Sequence, residues 1–161
     1  MTLYVDRESE DYRFYKTLNE DVQLQPVSST SKHWDITMQD GDYVNVTGKD
    51  SLHNAICIAI MTRFNELDYI PLYEGFGCRA HELIKARKSE MVKYKIELFI
   101  TDVLTKMRRI KEVNWIEVND AEESKYQVKF SVKSINDTII EGSVSLWIIR
   151  QKIMMKFFNR C

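Results

Sequence analysis

From Ser89 onward, large apolar residues recur at Val92, Ile96, Phe99, Val103 and Met107, with Ile100 and Leu104 broadening the stripe. Intervals of three and four place them on one face of an α-helix, which predicts a long helix over about Ser89 to Arg109 with a buried side. Ser89 stands where a helix N-cap is needed. After Ile110 the period changes. Tyr126, Val128, Phe130 and Val132 alternate with Gln127, Lys129, Ser131 and Lys133, the mark of a half-buried strand. Glu112 to Val118 is rich in strand formers but alternates imperfectly, and a turn at Ser134-Ile135-Asn136-Asp137 leads into a third strand over Thr138 to Ile149. These three predict an antiparallel meander, and Gly142 inside the last strand predicts a bulge or a close backbone approach.

Ahead of the long helix, the run from Ser51 to Phe64 is apolar on most of its circumference, which predicts a helix packed in the middle of the fold, with Asp50 or Ser51 as its cap. Before that, Asp40-Gly41 between short β-rich runs predicts a hairpin over His33 to Val46. Between the two helices, Leu72-Tyr73-Glu74-Gly75-Phe76-Gly77 reads as a turn that needs positive φ at its glycines, and it leads into a short helix from Arg79 to Ile84.

The expected fold is therefore α+β, two or three helices packed on a small antiparallel sheet. Residues 1–32 form an extended, largely polar N-terminal arm, ordered on a partner or along the domain's own surface if ordered at all, and a Ser28-Ser29-Thr30-Ser31 linker sets its boundary. Residues 33–149 form the compact domain. Residues 150–161 are basic and apolar, with Arg150, Lys152, Lys156 and Arg160 and no carboxylate side chain.

Composition adds little to this picture. At 161 residues, 44% of them hydrophobic, the chain closes a core without disulfides or metals, and a net charge of -1 predicts no polyanionic or membrane partner by itself. The N-terminus lacks the basic start and apolar run of a signal peptide. The distribution of charge is more informative, because Cys78 to Lys111 holds ten basic residues against four acidic ones. Such a surplus meets phosphates, an acidic protein surface or solvent.

Candidate chemistries are sparse. Glu66, Asp68, Glu74 and Glu82 surround the glycine turn, but no flanking motif pairs them as a glycosidase requires. Gly75-Phe76-Gly77 lacks the spacing of a nucleotide-binding loop and stands as a structural turn. His33, His53 and His81, with Cys57, Cys78 and Cys161, show no metal-ligand spacing, so no metal and no cofactor are expected.

The order of elements resembles one family. A buried helix ending in Ile60-Met61-Thr62-Arg63, the Pro71-Leu72-Tyr73 approach to Phe76-Gly77, the short helix to Leu83-Ile84, the long helix ending in Arg108-Arg109-Ile110 and a following sheet together are similar to the GPW-type baseplate wedge and sheath-initiator family of contractile phage tails, the Gram-positive phage branch above all. The resemblance spans roughly Trp34 to Trp147. It implies a non-enzymatic virion protein of the baseplate, present in several copies around the tail tube. Its implied partners are hub and wedge proteins and the tail sheath protein, whose first ring it templates through its C-terminal sheet. The family's acidic-Pro-Arg triplet, which contacts the wedge helical bundle, aligns onto Met107, Arg108 and Arg109, of which only Arg109 matches. Trp147, Ile148, Ile149 and Arg150, at the end of the sheet, complete the expected protein interface. Two other classes remain beside this one, a peptidoglycan-degrading lysozyme-like enzyme of the tail and a nucleic-acid-binding module. Some family members carry a lysozyme-like name, and no residue of this sequence supports that activity.

Overall fold

The computed structural model describes residues 18, 20–26, 34–83, 86–121 and 125–147. The fold is α+β, as the pattern predicts. In chain order it comprises short strands β1 (Glu20–Val22), β2 (Leu24–Pro26), β3 (Trp34–Ile36), β4 (Met38–Gln39), β5 (Asp42–Tyr43) and β6 (Asn45–Thr47), then helix α1 (Lys49–Met61). Two 3-10 turns, Pro71–Tyr73 and Arg79–Leu83, lead to helix α2 (Glu90–Thr105) and the strands β7 (Ile110–Asp120), β8 (Lys125–Ser134) and β9 (Ile139–Trp147).

The last three strands form the antiparallel meander in the order β7-β8-β9. Tyr126, Val128, Phe130 and Val132 of the central strand are all fully buried, so the clean alternation of β8 marks the face on which the helices lie. The poor alternation of β7 has a physical cause. Its register against β8 shifts twice, between Ile110 and Glu112 and between Val113 and Trp115, and each shift turns the following side chains to the opposite face.

Helix α2 packs on β7 and starts where expected, with the Ser89 hydroxyl accepting from the Val92 backbone N–H at 3.3 Å. Its end and its inward face differ from expectation. The helix stops at Thr105, and Met107 to Arg109 form a turn closed by the Ile110 N–H on the Met107 carbonyl at 2.9 Å. The buried side chains are Val92, Ile96, Ile100 and Leu104, while Phe99, Val103 and Met107 flank the core half-covered. The contact line runs at a strict interval of four, 92–96–100–104, and so lies on the 100–104 side of the stripe and not on the 99–103–107 side. Burying these four side chains contributes about 1.5–3 kcal/mol each before entropy is counted.

Helix α1 packs on β9 and begins two residues earlier than predicted, at Lys49. Its N-cap is Gly48, which makes no side-chain cap, and Ser51 serves another purpose, since its hydroxyl points inward and donates to the Leu18 carbonyl at 3.5 Å. Neither Asp50 nor Ser51 caps the helix. The near-continuous apolar circumference does correspond to burial: Leu52, Ile56, Cys57, Ala59 and Ile60 are in the core.

The hairpin turn falls on Asp40-Gly41, both with positive φ (53° and 86°), as a type I′ turn requires. Beyond Thr37 and Val44 the two arms part, and the segment 20–26 runs into the fork. β1 pairs with β6 on one side and β2 with β3 on the other, with Gln23 bonded to Val44 and to Thr37 at the branch, 2.8 Å each. The described part of the N-terminal arm thus lies along the domain itself. Leu18 is fully buried in the core. The remaining arm residues, the Ser28–Ser31 linker and the segment from Ile148 onward lie outside the described residues.

Candidate functional site

The junction between α2 and β7 carries the residues of the expected interface. Met107 packs against the core and Arg108 is exposed. Arg109 turns inward. Its Nη1 donates to the Leu18 carbonyl at 2.7 Å and to the Ser51 hydroxyl at 3.3 Å, while its own carbonyl accepts from the Ile135 N–H at 3.0 Å. One guanidinium therefore ties the N-terminal segment to α1 and to the start of the sheet. Burial pulls its pKa below the usual range, and the nearby Asp21 carboxylate partly opposes that pull.

The sheet supplies the second element. Among the described residues the meander is three strands wide, so β7 and β9 each keep one hydrogen-bonding edge outside the sheet. Trp147 ends β9 opposite Lys125, and Trp115 on β7 is 44% exposed. Ile148, Ile149 and Arg150 lie outside the described residues.

The glycine turn closes a long loop. Cys78 donates to the Thr62 carbonyl at 2.8 Å and accepts from Phe64 at 3.2 Å, forming a parallel bridge between Arg63 and Cys78 that joins the two ends of the loop. Gly75 and Gly77 take positive φ (73° and 104°), as the sequence predicts. At Gly77 a Cβ would stand 2.3 Å from the Arg63 carbonyl oxygen, so the bridge itself requires glycine. Phe76 is half-buried, edge-on to Tyr73 at 5.7 Å.

The carboxylates around the turn are exposed, and Glu66, Asp68 and Glu82 are engaged in local structure. Asp68 accepts from the Gly75 N–H at 3.1 Å and Glu66 from the Arg63 N–H at 3.0 Å. Glu82 forms a two-pronged pair with Arg79 at 3.0 and 3.1 Å, which holds its carboxyl below the usual range. A general acid needs the opposite shift. Several of the basic residues between Cys78 and Lys111 also have local partners: Lys93 bonds Glu90 and Asp120 at 2.9 and 2.7 Å, Lys106 bonds Asp102 and Lys111 bonds Asp137.

A feature the sequence only hinted at lies between α1 and β9, where Lys49, Asp50, His53, Ile139, Ile140 and Glu141 line an open cleft of about 480 Å³. His53 stacks on Phe130 at 5.9 Å and presses on Gly142, where a Cβ would meet its ring at 2.5 Å. The glycine in β9 is thus a close approach, with the register on either side unbroken. Burial lowers the His53 pKa and pushes the adjacent Cys57 thiol up to about 12, which leaves the thiol protonated and unreactive. His81 donates from Nε2 to the Ile60 carbonyl at 2.9 Å. Among the described residues no three metal-ligating side chains stand together, and no helix is long and apolar enough to cross a membrane.

No family model and no curated protein sequence matches the chain. Among solved structures, a crystal structure from Geobacter sulfurreducens described as a "putative tail lysozyme" is similar at a TM-score of 0.56 and 15% identity, over 73% of this chain and 99% of that one. The fold shared by the two proteins is the α+β arrangement described above.

Proposed function

We propose that this chain is a non-catalytic structural component of a contractile phage tail or tail-like particle. In this reading it sits in the baseplate in several copies around the tube, joins hub and wedge proteins to the first sheath ring, and templates sheath assembly. The observation that carries the reading is the narrow meander with its two outward edges, because an open edge offers a row of backbone donors and acceptors to a partner strand. The fold likeness to the Geobacter sulfurreducens protein and the order of elements from Ile60 to Trp147 support the same class. Arg108, on the exposed side of the α2–β7 junction, then meets a carboxylate of a wedge helix. Arg109 holds that junction in shape, and β9, up to Trp147, offers its outer edge to the partner strand.

The name of the Geobacter sulfurreducens protein favours a second reading, hydrolysis of peptidoglycan. Against it stands the lowered pKa of Glu82 and the use of Asp68 and Glu66 as acceptors for backbone N–H groups. Co-expression with the sheath and wedge proteins of the same particle tests the first reading, and a zymogram of the purified chain tests the second. Co-purification that fails after truncation at Trp147 supports assembly through the sheet; clearing that disappears with Glu74→Gln or Glu82→Gln supports the enzyme. Unchanged capture of both partners by the truncated chain overturns the edge assignment.

A further inference from the structure

Helix α2 carries a second apolar row that the core does not use. Met91, Tyr94 and Leu98 follow one another at intervals of three and four, are 63%, 61% and 53% exposed, and stand on the side of the helix opposite Val92, Ile96, Ile100 and Leu104. Thr101 and Thr105 continue the row. Their hydroxyls donate to the helix's own carbonyls, Thr101 to Glu97 at 2.8 Å and Thr105 to Thr101 at 2.9 Å, so both add methyl groups without an unmet polar atom. Exposed apolar groups are normally scattered singly, whereas a contiguous row at helical spacing is the surface on which a second helix lies.

The charges along this row choose the occupant. Lys95 is exposed and has no partner among the described residues. Seven positions on, Asp102 lies on the same flank of the row; its Oδ2 accepts from Lys106 at 2.6 Å, and its Oδ1 is unengaged among the described residues. Arg79, over the Phe99 ring at 5.2 Å beside that flank, is already held by Glu82. Glu90 and Glu97 lie on the other flank, a quarter turn from the row, with Glu90 bonded to Lys93 at 2.9 Å. A two-fold axis midway between Lys95 and Asp102 sets a second α2 antiparallel to the first. Such an axis brings like flanks together, so each Lys95 then faces Asp102 of the other copy. The same axis passes beside Leu98, which meets its own copy, while Tyr94 enters between Thr101 and Thr105 of the second helix and Met91 packs beside that Thr105. One placement therefore satisfies the charges and the apolar row at once.

We infer that the free chain forms a weak two-fold dimer through the outer face of α2, with Met91, Tyr94 and Leu98 covered by a second copy and Lys95 paired with its Asp102. The helix is 16 residues, about 24 Å, long, and a pair of that length belongs with the transient interfaces under about 1,200 Å². The inference does not depend on the proposed place in a tail.

Sedimentation equilibrium of the full chain up to millimolar concentration tests it, with circular dichroism melts confirming that each variant is folded. The wild type should fit a monomer–dimer equilibrium, and Leu98→Asp, which alters only an exposed side chain, should be monomeric throughout. Lys95→Asp and Asp102→Lys each set like charges against each other twice and should weaken the dimer by about tenfold or more. The combined Lys95→Asp, Asp102→Lys variant should recover the wild-type dissociation constant to within about threefold. A chain that stays monomeric at millimolar concentration overturns the inference, as does a dimer that survives Leu98→Asp. Single losses that the combined swap does not repair overturn it too, because the two charges then do not face each other.

Discussion

Replacing Gly77 with alanine tests whether the long loop is held shut by its backbone bridge. At this position φ is +104°, outside the left-handed helical well, and an added methyl would stand 2.3 Å from the Arg63 carbonyl oxygen and 2.7 Å from its carbon. Those atoms belong to the bridge that joins Arg63 to Cys78, so the obstacle is backbone and not a flexible side-chain end. The backbone conformation alone costs about 1–3 kcal/mol for a residue with a side chain. Relieving the overlap also requires opening the Cys78–Thr62 and Phe64–Cys78 hydrogen bonds, each worth about 0.5–1.5 kcal/mol. Together these give roughly 2–6 kcal/mol, or about 4–24 °C in Tm at 2–4 °C per kcal/mol for a chain of this size. Gly75→Ala is the internal control, because its φ of +73° is strained while nothing lies within 4 Å of the added methyl. Its cost should stay near ~1–2 kcal/mol. Urea denaturation followed by circular dichroism reads both variants. Equal midpoints for Gly77→Ala and Gly75→Ala would refute the claim that the Arg63–Cys78 bridge, rather than turn conformation, makes Gly77 indispensable.

Other perturbations test other parts of the fold. Ile100→Ala should cost about 2–5 kcal/mol as a core truncation, whereas Met91→Ala, on the opposite and exposed side of α2, should stay within about 0.5 kcal/mol; equal losses in a denaturant series would place the wrong face inward. Arg109→Glu should destabilise by about 3–5 kcal/mol, because it sets a carboxylate against the Leu18 carbonyl with no donor between them; a folded variant with wild-type Tm would contradict the clamp. His53 and His81 both have pKa values lowered by burial from 6.5, so the unfolded chain takes up protons first and stability should decline as pH falls below about 6.5. His81→Gln should flatten that decline in pH-dependent melts. Finally, the thiols of Cys57 and Cys78, pushed up to about 12 and about 11, should resist a thiol reagent at pH 8 until the chain is unfolded.

Elements with a strong period were legible in the sequence. Tyr126 to Val132 alternate because one face of β8 is fully buried, and Ser89 marks the start of α2 because its hydroxyl, beside its own carbonyl, accepts from the Val92 N–H. Gly75, Gly77 and the Asp40-Gly41 turn were legible for a related reason, since positive φ selects residue types directly. Less was legible where long-range contacts decide. Ser51 looks like a cap from its neighbours, but the buried Leu18 carbonyl 33 positions earlier claims its hydroxyl. Arg109 looks like an outward charge at a helix end, and a contact 91 positions away turns it inward. The strands of the 20–26 segment carry no period of their own, because they are three residues each and fill a fork made by the hairpin arms. At the candidate interface, the sequence marked the α2–β7 junction and the end of β9, while the cleft at His53 was signalled only by the glycine at position 142.

The central claim, that the chain works by assembly through the open sheet, is tested most directly by electron cryomicroscopy of the contractile particle proposed to carry it. The account predicts repeated density for this fold in the baseplate, adjoining the first sheath ring, with a strand of a neighbouring subunit hydrogen-bonded along the outer edge of β7 or β9. Density for the chain with both edges facing solvent, or particles that assemble a complete sheath in its absence, would contradict it.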